Sequence, residues 1–255
     1  MRKYFVGGNW KSNNTMADTH TLIGKTINAL NFGPEKTEVA IFPSTIQLTE
    51  VQKQLTNKNV YVGCQNISKY GFGAYTGETS VLHLKDLGIN WTLVGHSERR
   101  SLFAENNAIV AEKTKFALDN KVNVVLCIGE TLQERESDQT LNVIQQQLGH
   151  VKDVLAAKDS WSNIVIAYEP VWAIGTGKVA TPQQAQDVHA FIRKWMAEHV
   201  AKEVAEAVRI IYGGSVTEKN CQELITQTDI DGFLVGGASL KPGFTDIVNA
   251  VNQAQ

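Results

Sequence analysis

Four side chains stand where apolar runs give way to loops, and together they could do acid–base chemistry. Glu169 is a carboxylate able to take a proton, and His96 an imidazole able to polarise a carbonyl. Lys11 and Asn9 are a cation and an amide able to hold developing negative charge. Glu169 opens the stretch "EPVWAIGTGKVATP". Pro170 fixes the backbone beside it, while Val171 and Trp172 can cover it against water. A carboxylate so shielded is expected to have a raised pKa and to be a stronger base. The Gly175-Thr176-Gly177 portion suits a lid whose backbone amides reach a ligand on closing. Two nucleotide-binding patterns fail here. Lys178 is followed by Val179 instead of Ser or Thr, and Trp172 occupies the first glycine position of a phosphate loop. Gly175-x-Gly177-x-x-Ala180 fits a dinucleotide fingerprint nominally, but the helix-start signal comes only after Ala180.

A lone histidine is commonly a core residue. Here Ser97 is placed to cap a short helix, which leaves His96 beside a helix N-terminus, where the dipole disfavours imidazolium and a neutral ring is expected. Lys11 alone reads as a solvated charge; Asn9 two residues before it, at the end of a glycine-rich run, favours an inward role.

These residues need elements to hold them. Eight short runs rich in Val and Ile begin at Tyr4, Glu38, Val60, Trp91, Val122, Asn163, Val208 and Gly232. They are near-continuously apolar, as parallel strands covered on both faces must be. Helical stretches alternate with them. Thr131 with Glu134 and Thr181 with Gln184 have capping-box spacing, and Pro182 takes a first helical position. Ala185, Val188, Ile192 and Trp195 give the following helix one buried face, and further helix is expected around Gln139 to Lys158. No linker divides the chain, so residues 1–255 read as a single α/β domain, a (β/α)8 TIM barrel; a doubly wound open sheet would need alternating edge strands that are not evident. In a barrel, chemistry sits at the C-terminal strand ends. There the seventh and eighth runs carry Gly213-Gly214-Ser215 and Gly236-Gly237, which let backbone N–H groups face an anion at the usual phosphate position. The fifth carries Cys127 and Glu130.

Composition narrows the partners. A formal charge of −2 with 20% charged residues offers no electrostatic handle for nucleic acid or a membrane surface. No run approaches the roughly 20 apolar residues of a membrane span. Neither end carries a recognisable targeting signal. Cys64, Cys127 and Cys221 are scattered and match no metal spacing, consistent with a reducing, cytoplasmic setting.

The motifs "GNWK", "GAYTGETS", "VGHSERR", "AYEPVWAIGTGKVATP", "YGGSV" and "DGFLVGGASL" resemble, in order and over essentially the whole chain, those of the triosephosphate isomerase family. The resemblance implies a cofactor-free, metal-free interconversion of dihydroxyacetone phosphate and glyceraldehyde 3-phosphate through an enediolate, a step of glycolysis and gluconeogenesis. It implies Glu169 as base, neutral His96 as electrophile, and Lys11 with Asn9 stabilising charge. Gly175, Ser215, Gly236 and Gly237 would bind phosphate. Glu98 would support the site with Lys11 as its partner, and Cys127 would pack behind it. It further implies a homodimer, with the long segment from Cys64 to Ser80 entering a second subunit, Thr76 at the contact and Asn13 near it. Ser12 and Asn14 stand where the family often has methionine and glycine, and Tyr75 where phenylalanine is common. These departures bear on the subunit contact more than on the chemistry. Rival readings on the same fold fare worse. A Schiff-base aldolase would need a lysine in the later strands, and a metal-dependent epimerase would need several strand-end histidines. A binding protein that had lost activity would not keep every functional position filled by the chemically suitable residue.

Overall fold

A computed structural model of the chain describes residues 2–155, 157–174 and 180–254. Its eight strands are β1 (Tyr4–Asn9), β2 (Thr37–Phe42), β3 (Val60–Val62), β4 (Trp91–Val94), β5 (Asn123–Ile128), β6 (Ile164–Tyr168), β7 (Arg209–Tyr212) and β8 (Gly232–Val235). They form one parallel sheet in the order β3-β2-β1-β8-β7-β6-β5-β4. Between β3 and β4 the ring is joined by one residue. Cys64 bridges to Thr92, its N–H donating to the Trp91 carbonyl at 3.0 Å and its carbonyl accepting from the Leu93 N–H at 2.8 Å. Each strand begins within one residue of its expected place.

The strands read as continuous apolar runs because both faces are covered. Phe5, Phe42, Trp91, Val125, Ile211 and Leu234 fill the barrel's interior, and Cys127 packs among them. A larger layer, including Val6, Ile41, Leu126, Ile166 and Val235, packs outward against the helices. Helix Pro182–His199 starts as its sequence dictates. The Thr181 hydroxyl accepts from the Gln184 N–H at 3.1 Å, the Gln184 side chain accepts from the Thr181 N–H at 3.0 Å, and Ala185, Val188, Ile192 and Trp195 are buried. Thr131 caps Leu132–Glu136 in the same way. The helix expected around Gln139 to Lys158 is shorter, Thr140–Val154. Leu155 turns extended, and Lys158 begins a separate short turn that seats the buried Trp161.

One buried group in this helix layer makes the fold sensitive to acid. His189 is fully buried against Tyr168 and Tyr212, with Nδ1 3.0 Å from the Asp229 carbonyl. Among the described residues its Nε2 has no partner. Burial, aided by the Arg193 charge, pushes its pKa from 6.5 down to about 4, against the pull of the Asp229 carbonyl. As pH falls through 6.5 the unfolded chain takes up a proton that the folded chain refuses, so stability present above that pH is lost toward pH 4. The loss is about 3 kcal/mol over that window. Denaturant unfolding of His189→Asn between pH 7 and pH 4 is expected to show a correspondingly shallower pH dependence than the unaltered chain. Parallel profiles would remove His189 from the account.

Candidate active site

Glu169 and His96 meet at the C-terminal mouth of the barrel. Glu169 follows β6 directly, and its N–H donates to the Ile128 carbonyl of β5 at 2.7 Å. Two glycines make room for it. A side chain on Gly129 would run into the Glu169 carbonyl, and a β-carbon on Gly213 would lie 2.9 Å from Glu169 Cγ. The carboxylate is 2% exposed as a residue and is held twice: Oε2 accepts from the Ser97 N–H at 3.0 Å, and Oε1 lies 3.0 Å from His96 Nε2.

His96 itself, not Ser97, caps the short helix Ser97–Leu102, since its Nδ1 accepts from the Glu98 N–H at 3.2 Å. This corrects the sequence reading, and the dipole logic behind it becomes more direct. A ring nitrogen that accepts from a backbone N–H carries no proton, so the hydrogen resides on Nε2 and points at Glu169. Burial resists charge on both groups, but each is offset by the other. The Glu169 charge and hydrogen bond, with Glu98, lift His96 above its ordinary pKa; the His96 ring, the Ser97 N–H and Lys11 hold the Glu169 carboxyl below its own. Both directions run opposite to the sequence expectation of a raised carboxyl and a depressed imidazole, because sequence does not show that the two groups touch. The N–H aimed at Nδ1 works against a second proton on the ring, while the Glu169 charge works in its favour.

Lys11 adopts a left-handed backbone with φ 53°. That conformation is costly for a residue with a side chain, and it is fixed here from two sides. The Lys11 N–H donates to Asn9 Oδ1 at 3.0 Å, and its carbonyl accepts from Gln65 Nε2 at 2.8 Å. The strained turn aims the ammonium into the mouth, where Nζ pairs with Glu98 Oε1 at 2.6 Å. Asn9 is buried and uses its side-chain oxygen to shape this turn.

Asn9, Lys11, His96 and Glu169 line one cavity of about 460 Å³, whose opposite wall is Gly213–Lys219 and Gly236–Ala238. Among the described residues the N–H groups of Ser215, Gly236 and Gly237 have no acceptor. The space beside Gly237 is open, and Lys11 Nζ lies 4.0 Å from a β-carbon built on Gly236. A cation, free amides and a shielded carboxylate therefore share one chamber.

A residue without a role in the sequence reading ties this chamber to the next segment. Glu130, after β5, is fully buried and accepts from Tyr168 Oη at 3.1 Å, Trp172 Nε1 at 2.9 Å and Arg135 Nη1 at 3.3 Å. Arg135 also stacks over the Trp172 ring, 4.4 Å from its centroid. Burial, then the charge and hydrogen bond of Glu130, push the Tyr168 hydroxyl pKa up. The available signal was a carboxylate at a strand end.

The sequence model of one enzyme family, triosephosphate isomerase, matches residues 4–251. The chain belongs to the triosephosphate isomerase family. It is 53% identical over 249 residues to a protein of Paracoccidioides lutzii named triosephosphate isomerase, with 98% of each chain covered. The corresponding protein of Aspergillus oryzae is 53% identical over 250 residues, again with 98% of each chain covered. A rice protein named triosephosphate isomerase, cytosolic, is 50% identical over 253 residues, covering 98% of this chain and 97% of its own. These relatives carry the name of an isomerase.

Of the residues read from the sequence, Asn9, Lys11, His96, Glu169, Ser215, Gly236 and Gly237 line the shared cavity. Gly175, with the rest of 175–179, lies outside the described residues. Glu98 stands behind Lys11 as its ion partner. Cys127 is fully buried in the barrel interior, where burial first and then the Glu169 charge push its thiol pKa well up. Asn13 and Thr76 are exposed and do not line this cavity. Asn14, where this family often has glycine, has φ 71°, a left-handed conformation that asparagine tolerates better than other side chains. Tyr75 stacks on Tyr70 with ring centroids 4.3 Å apart.

Proposed function

We propose that this protein interconverts dihydroxyacetone phosphate and glyceraldehyde 3-phosphate, the chain working as one (β/α)8 domain over residues 1–255. The observation that supports this most is the single cavity running from Glu169, His96 and Lys11 to the amides of Ser215, Gly236 and Gly237, which have no acceptor among the described residues. Those amides take the phosphate, with Gly175 contributing from the lid segment. Glu169 leaves Ser97 and His96 to remove the proton from the carbon beside the carbonyl, and returns it to the neighbouring carbon. His96 donates its Nε2 hydrogen to the oxygen that becomes negative. Once Glu169 has moved off, its share of the attraction that lifts His96 goes with it and Glu98 alone still pulls that way, while burial and Lys11 favour the neutral ring. Lys11, its turn set by Asn9 and its charge steadied by Glu98, stabilises the enediolate. Proton transfer and charge stabilisation come from side chains alone, so the reading needs no metal or organic cofactor.

We further propose a cytoplasmic homodimer. Ile46, Phe72, Leu102 and Phe103 are 90%, 65%, 73% and 62% exposed, large apolar side chains that a monomer leaves wet. A second cavity of about 360 Å³ opens beside Lys11, Ser12, Thr45 and Glu98 and offers room for a partner's 70–80 segment, with Thr76 and Asn13 at the contact. Three free, buried cysteines and the rice relative named as cytosolic fit the location.

The test is consumption of glyceraldehyde 3-phosphate, with the product reduced by a coupled dehydrogenase and a strong chelator present. Fast turnover that the chelator leaves unchanged is expected. No turnover, or turnover that chelation abolishes, would overturn the assignment. Sedimentation of the same sample reads the oligomeric state independently.

A further inference from the structure

The cavity at the barrel mouth continues past the phosphate amides. Beyond Ser215 and Gly237 its wall is made by Val216–Lys219 and by Ala238 and Lys241. At about 460 Å³ it falls in the size range of pockets for drug-sized ligands, more than a triose phosphate fills. Lys219 and Lys241 are both exposed, and among the described residues neither ammonium has an ion pair or a hydrogen bond. This sets them apart from Lys11, whose charge is taken by Glu98. Two uncommitted cations thus face the same chamber as the free amides, from the two loops that carry those amides. Glu218 lines this end as well, its Oε2 3.1 Å from a β-carbon built on Gly243, so a ligand's second charge meets one carboxylate beside two ammonium groups.

We infer that Lys219 and Lys241 form an outer anion subsite, through which small doubly phosphorylated molecules bind across the cavity and compete with triose phosphate. The inference rests on the proposed function for its inner half, where one phosphate takes the amides of Ser215, Gly236 and Gly237. The second phosphate reaches outward to the two lysines. A molecule held at both ends and lacking a carbon acid opposite Glu169 blocks turnover without being consumed. Bisphosphorylated sugars and sugar acids are the chemical class that meets this description, and the enzyme would be slowed as they accumulate.

The contribution is bounded by exposure. An ion pair in solvent is worth little, so two such contacts give about a fivefold gain in affinity at low salt. Screening removes most of it at high salt.

Calorimetric titration measures this without depending on turnover. The probes are propanediol, butanediol and hexanediol bisphosphates, each against the alkyl monophosphate of the same length. At low ionic strength at least one bisphosphate is expected to bind about fivefold more tightly than its monophosphate. The double variant Lys219→Gln, Lys241→Gln brings that ratio down to the roughly twofold that two equivalent ends give by statistics, and Glu218→Gln raises it. A ratio of about two or less for every length in the unaltered protein, or a larger gain that survives the double variant, sinks the outer subsite while monophosphate binding leaves the proposed function standing. If no monophosphate binds at all, the inner half fails and both readings fall together.

Discussion

Glu169→Asp is expected to fold normally and to lose about 10²-fold or more in turnover. The shorter side chain withdraws the carboxylate by one methylene, and a misplacement of roughly 1 Å costs about that factor when a base must meet a particular carbon. The backbone that carries the residue stays fixed, because the Glu169 N–H is tied to Ile128 and the Gly213 N–H to the Tyr168 carbonyl. What is lost inside the protein is the grip on the Ser97 N–H and on His96 Nε2. An unmet buried donor costs about 1–3 kcal/mol, enough to lower a melting temperature but not to unfold the barrel. Steady-state kinetics beside thermal melts separate the two effects. Near-normal turnover in a folded variant would take the role of base away from Glu169.

Lys11→Met is expected to abolish measurable activity while leaving the fold, and the proposed dimer, in place. Methionine keeps the apolar stem out to the position of Cε, and it meets the left-handed turn with the same strain as lysine. The partner left behind, Glu98, has a side chain 45% exposed and is rehydrated at little cost. The charge that would face the enediolate is gone. Loss of a single preorganised donor in such a site costs roughly 10²–10³-fold, and loss of a full cation is expected at or beyond the upper end. Sedimentation and turnover on one sample decide it. A variant that is active, or one that is inactive only because it no longer assembles, would remove Lys11 from the chemistry.

The eight strands were legible in the sequence for a simple reason. A parallel strand buried on both faces has no polar alternation to confuse with a helix, and the starts at Tyr4, Trp91 and Gly232 coincide with structure. The capped helix after Thr181 was equally readable, because Thr, Pro and Gln each satisfy a defined backbone need there. The site was legible as residue types at strand ends. Apart from the Lys11–Glu98 pair, its contacts were not. That Glu169 rests on His96 reverses the expected direction of both pKa values, and no spacing encodes a contact between β4 and β6. His96 as a cap escaped notice because imidazole is an unusual capping group. Glu130 escaped because its three donors come from separate segments and a buried carboxylate leaves no periodic trace. The apolar run read from Val60 to Cys64 did not show that the strand proper stops at Val62 and that Cys64 joins β4 by a bridge of its own.

The pairing of β1 with β8 sets Val6 opposite Phe233, near neighbours in space and almost the whole chain apart in sequence. During synthesis the strand that delivers Lys11 has no such neighbour until the last strand leaves the ribosome, roughly 10–45 s later at ordinary elongation rates. For that interval an edge of "YFVGGN" hangs open to solvent on the side where β8 will dock. Prompt completion, or a chaperone's cover, would shorten or shield that exposure before Lys11 is locked in place.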